Sequence, residues 1–252
     1  MIMLAYSSTR FIQIPGREFE FNLYGFYLSF EFTLRTVISL LVAGLTASGA
    51  SWLMRDHPAQ EQYNISFNWI LPALTSLVIG LFVNMLPEGW SWWLGLGLGI
   101  TLLVLILIAE YICIDPLDER EPLAAAGLIA VSYALFLILA TVMKAAGSRL
   151  VYMLPPLTLA AGLVSLRSMG LRLQRRWFFI EAALIALITS HFIAALNYWP
   201  LSPITYGLLI LGPTFAITSL FSALIAGQTL RAALTEPAVA LVISWGFAFW
   251  IR

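Results

Sequence analysis

Charge is what this sequence has least of. Only 10% of its 252 residues are Asp, Glu, Lys or Arg, while 61% are apolar. Soluble domains carry about 25% charged and 45–50% apolar residues. A soluble fold of this size cannot hide that much apolar surface. An ordinary cytosolic enzyme, a disordered chain and a disulfide scaffold are thereby excluded.

Cysteine is nearly missing. Cys113 is the only one, so no internal disulfide exists and the redox compartment is not legible. His57 and His191 are the only histidines, which restricts any metal or haem site. Thirteen Lys and Arg balance thirteen Asp and Glu, which gives no electrostatic reason to expect nucleic acid. No metal and no cofactor is expected from this composition.

Apolar sequence is abundant, with a mean hydropathy of +0.91. Eight apolar runs lie near 33–54, 68–86, 91–113, 123–144, 150–168, 177–197, 203–227 and 236–251. Each approaches the ~20 residues that cross a ~30 Å hydrocarbon core. Helices are the expected spanning form, because each satisfies its own backbone groups. The fold class is therefore an all-α polytopic integral membrane protein of about eight transmembrane helices. The expected location is a cell membrane of the bacterial inner-membrane type, with the lipid bilayer as the first partner and membrane subunits or lipids as others. Small residues at Ser48-Gly49-Ala50 mimic a signal-peptide cleavage site, but the long stretch before them favours an uncleaved first span.

Residues 1–32 are too polar to span. Phe19-Glu20-Phe21-Asn22-Leu23 alternates, and Tyr24, Phe26, Tyr27, Phe30 and Phe32 follow. Aromatics among charges suit the headgroup layer, as a strand-like or helical interfacial segment. Pro72, Pro155-Pro156 and Pro213 fall within spans and are expected to kink or break them. Gly44, Gly49, Gly95, Gly97 and Gly99 suggest close helix packing.

The organisation reads as a first half over 33–146 and a second over 150–252. Ala43-Gly44-Leu45 matches Ala161-Gly162-Leu163, and Glu121-Pro122 matches Glu236-Pro237. Such matches point to a parallel 4+4 repeat; chance recurrence in an apolar alphabet is the competing account.

With the N-terminal side named face A, face B carries Arg55, Arg120, Arg167, Arg172, Arg175, Arg176 and Arg231. The cluster Arg167–Arg176 in one short loop places face B in the cytoplasm by the positive-inside rule. Trp90, Trp92, Trp93, Trp199 and Trp250 are expected to form the face A aromatic belt, and Trp52, Trp69 and Trp177 the face B belt.

Polar groups within spans are functional candidates by default. Asp115, Asp118, Glu119 and Glu121 form an acid-rich loop just after Glu110, with Asp56, His57 and Glu61 on the same face. Together with Arg172, Arg175 and Arg176 they could hold a divalent cation or a lipid-linked phosphate. The plainer account is a solvated loop whose carboxylates favour the N-terminus of the fourth span. Glu181 sits four residues into the sixth span, within reach of Arg175 and Arg176. His191 lies fourteen residues past Trp177, roughly 21 Å deep, with Asn197 beyond it. His191 is expected either to relay protons or to hydrogen-bond between helices.

Three functional readings follow. The leading one is a non-catalytic scaffold or binding subunit of a membrane assembly. A small carrier with a site near His191 is the second. A membrane enzyme acting on a lipid-linked phosphate at the Asp115–Glu121 loop is the third.

Overall fold

The computed structural model describes residues 17–23, 26–32, 34–57, 67–87, 89–173 and 178–251. Glu61, Arg175, Arg176 and Trp177, together with residues 1–16, lie outside the described residues.

A hairpin comes first, formed by β1 (Arg17–Leu23) and β2 (Phe26–Phe32). Its register sets Phe19 opposite Phe30, Phe21 opposite Leu28 and Leu23 opposite Phe26. The period-two alternation of the sequence decides for strand over helix here.

Nine helices follow among the described residues. They are α1 (Leu34–Arg55), α2 (Ile70–Met85), α3 (Trp90–Ile112), α4 (Glu121–Ala145), α5 (Leu150–Arg172), α6 (Phe179–Asn197), α7 (Pro203–Ile225), α8 (Leu230–Ala233) and α9 (Thr235–Trp250). Seven spans are long and apolar enough to cross a membrane, the last taking in both α8 and α9. The remaining helix, α2, is apolar but has only 16 residues, about 24 Å of rise. The chain is an all-α multi-pass membrane protein of about eight crossings.

Local chemistry sets several boundaries. Pro122 and Pro203 sit in the first turns of α4 and α7, where a missing N–H costs little. Ser202 caps α7 by accepting the Thr205 N–H at 3.2 Å. Gly147 and Gly227 stand just past α4 and α7 with φ of 63° and 79°. That left-handed conformation ends a helix and suits glycine.

The prolines interrupt no helix. Pro72 lies in the first turn of α2, where no intrahelical donor is lost. Pro155, Pro156 and Pro213 are inside α5 and α7, yet both helices run through them unbroken.

Cross-helix pairs define the alternation of the bundle. His57 beyond α1 meets Tyr111 of α3 edge-on at 4.5 Å. Glu110 near the end of α3 meets Arg167 near the end of α5. Arg172, ending α5, meets Glu236 at the start of α9. All of these gather on face B. Lys144, near the end of α4, reaches Asn197, ending α6, on face A.

Helix α7 packs against α4, α5, α6 and α9 and is the centre of the bundle. Half of its apolar stretch is buried, against about a fifth for α6 and for α8 and α9 together. The main core joins Leu128, Phe136, Leu139, Leu157, Ala161 and Tyr206 from α4, α5 and α7. Gly95 and Gly99 bring α3 onto α2, where an added Cβ would strike Leu86 and Ile79. Gly44, Gly49 and Gly97 differ from the expectation, because they face open space. Trp92 also departs from its expected belt. It turns inward at 7% exposure among Val42, Ile79 and Leu96, whereas Trp90, Trp93, Trp199 and Trp250 stay exposed.

Candidate functional site

The polar interior is built on α5. Ser165, Arg167, Ser168 and Arg172 cluster in its last two turns before face B. Arg167 donates through Nε to Glu110 Oε1 at 3.1 Å and through Nη2 to Glu110 Oε2. The pair is enclosed, with side-chain exposures of 6% and 0%. A planar guanidinium matches a carboxylate in this two-pronged way, which suits arginine better than lysine.

A second pair lies nearer the surface. Arg172 donates to Glu236 Oε2 at 3.1 Å and to Oε1 at 2.8 Å. Ser219 of α7 sits beside both partners, 3.5 Å from Arg172 Nη1. The guanidinium lies 5.5 Å from the Phe215 ring centroid, and Phe215 packs edge-on against Tyr133 at 4.9 Å. Two arginines of one helix thus tie α3 and α9 to the bundle.

Hydroxyls continue this polar region toward the membrane centre. Thr214, Thr218 and Ser222 recur every four residues along α7 and each donates to the carbonyl one turn back, at 2.7–2.8 Å. Thr218 also meets Ser165 of α5 at 2.9 Å, and Thr214 meets Thr189 of α6 at 3.3 Å. Each pair satisfies polar atoms inside the protein, where lipid offers no partner.

The profile of one family, described as "Protein of unknown function (DUF5656)", matches residues 14–251, from before the hairpin to the end of α9. The chain belongs to the DUF5656 family. No curated protein and no solved structure matches it.

In this DUF5656 chain the acidic loop is occupied with its own turns. Asp115 Oδ1 accepts the Leu117 N–H at 3.0 Å, and Asp118 Oδ1 accepts the Arg120 N–H at 2.9 Å. These are Asx turns, a standard use of aspartate in a loop. Glu119 is exposed, and Glu121 opens α4, where the helix dipole favours an anion. Asp56 is exposed at the end of α1, and His57 packs on Tyr111. No group of three or more His, Cys, Asp or Glu comes together among the described residues.

The deeper candidates take separate positions. His191 faces outward, its Nδ1 2.8 Å from the Leu187 carbonyl of its own helix. Glu181 is half-buried in the first turn of α6; its expected partners Arg175 and Arg176 lie outside the described residues. Asn197 contributes its backbone carbonyl, which accepts from Lys144 Nζ at 2.8 Å. The ammonium also sits 4.8 Å from the Tyr206 ring centroid. The single lysine of the chain therefore caps the C-terminus of α6, where a cation opposes the helix dipole.

Glu236, Tyr133, Ser168 and the α7 hydroxyls escaped the sequence reading as site residues, and Arg167 entered it only as part of the face B arginine cluster. Their signal was the three- and four-residue spacing of Ser165, Ser168 and Arg172 and of Thr214, Thr218 and Ser222, which marks one helix face.

Proposed function

We propose that this DUF5656 chain is a non-catalytic binding or scaffold subunit of a membrane assembly in the cell membrane. The observation that supports this reading is the division of labour between interior and exterior. Several interior polar side chains join one helix to another, as in Arg167–Glu110, Arg172–Glu236 and Ser165–Thr218. The outward faces of α1, α3, α6 and α9 carry bulky apolar groups along their lengths, including Leu45, Leu98, Leu187 and Val242. Such faces suit acyl chains and the flanks of neighbouring transmembrane helices. A carrier site near His191 lacks comparable support, because that imidazole points away from the bundle. The enzyme reading lacks it too, since Asp115 and Asp118 are engaged in turns.

The test is photo-crosslinking in native membranes from positions 45, 98, 187 and 242, one at a time. The expected result is a discrete product with one membrane protein from at least one of these faces. Crosslinking to lipid alone from all four would refute the subunit reading.

A further inference from the structure

Three buried polar atoms converge near face B without a protein partner. They are the Tyr133 hydroxyl on α4, the Ser168 hydroxyl on α5 and Nε of Arg172 one turn further along α5. Tyr133 is 5% exposed and Ser168 is 0% exposed. The Tyr133 hydroxyl lies beside both Ser168 and Thr218, with Arg172 and Glu236 close by. Neither contact has the geometry of a full hydrogen bond. Thr218 is already committed, as a donor to the Thr214 carbonyl and in a bond with Ser165.

The unspent capacity is specific. Arg172 Nε offers one donor, and each hydroxyl offers one donor and accepting lone pairs. Leaving such groups unmatched in a dry interior is costly. A water within reach of all three would satisfy them, accepting from the guanidinium and one hydroxyl while donating to the other. Buried waters typically make about three hydrogen bonds of this kind. The cluster borders the surface, since Arg172 is 24% and Glu236 is 52% exposed.

We propose that Tyr133, Ser168 and Arg172 Nε enclose a water-binding inlet, open toward face B past the Arg172–Glu236 pair. Tyr133 lies twelve residues into α4, about 18 Å along the axis. Its side chain leans back toward face B, so the water sits about one turn below the end of α5, level with Ser168. The inlet goes beyond the scaffold reading and stands or falls independently of it.

The test is hydroxyl-radical footprinting of the full chain in lipid nanodiscs, read by mass spectrometry. Tyr206 is the internal control: it is fully buried, and its hydroxyl is satisfied by the Ile193 carbonyl at 3.3 Å. The expected result is several-fold faster modification of Tyr133 than of Tyr206; equal rates overturn the proposal. Thermal stability supplies an independent sign. Tyr133→Phe lowers the Tm if the hydroxyl binds water, whereas a raised Tm means a dry, unmatched hydroxyl and also overturns the proposal. Should Tyr133→Phe fail to fold, Ser168→Ala carries the same test of sign.

Discussion

Arg167 of α5 holds both carboxylate oxygens of Glu110 on α3, and both side chains are buried. Breaking such a pair from one side leaves a lone buried charge. Glu110→Leu is therefore expected to cost about 3–5 kcal/mol. Combining it with Arg167→Met is expected to restore much of the loss, because an apolar pair strands no charge. Thermal or SDS unfolding in detergent measures both. A double variant as unstable as the single one would contradict the assignment.

The second pair is expected to couple more weakly. Arg172 and Glu236 are partly exposed, so water and salt screen them to about 1 kcal/mol or less. A double-mutant cycle with Arg172→Gln and Glu236→Gln at two salt concentrations checks this. A salt-independent coupling as large as that of the buried pair would be inconsistent with the exposure.

Gly212 lets α7 and α9 touch. A Cβ there would collide with Ser244 Oγ, while Gly97 faces open space. Overpacking of a well-filled contact costs about 1–3 kcal/mol. Gly212→Val is thus expected to destabilise, and Gly97→Ala to be neutral or to stabilise by up to about 1 kcal/mol. Parallel melting curves separate the two glycine roles.

Lys144→Met removes the cation that caps α6. A loss of about 1 kcal/mol is expected from the missing hydrogen bond and dipole interaction. The turn at Tyr198–Leu201 should then be cut faster by added protease. Unchanged cleavage would show that Lys144 does not secure this end.

Cysteine labelling tests the sidedness that the arginine-rich end of α5 implies. In a Cys113→Ser background, Leu117→Cys should react with a membrane-impermeant reagent only from the cytoplasmic side. Tyr198→Cys should react only from the opposite side. Both residues are strongly exposed, at 83% and 80%. Exchanged labelling would invert the orientation.

The helices themselves were legible because apolar length alone dictates a crossing. Expected runs at 91–113, 123–144 and 203–227 become α3, α4 and α7 within a few residues. The second run contracts to Ile70–Met85, since Asn68 and Trp69 turn before the helix starts. Leu230–Ala233, read as loop, adds a helical turn that leads into α9. Glu110 stood out as a charge inside an apolar run, but its partner lies 57 residues away on another helix. His191 looked equally significant by depth and turned outward. Depth fixes how costly a polar group is, not which way its helix faces.

By itself, the sequence determined that this chain lives in a bilayer and crosses it about eight times, because hydrocarbon demands long runs of apolar residues that bond their own backbones. Only the tertiary structure decided which faces turn inward. These helices are apolar on nearly every side, so packing of small and hydroxyl-bearing residues, rather than amphipathic pattern, set their rotation. That rotation brought Arg167 to Glu110 and Arg172 to Glu236, and left His191 facing outward.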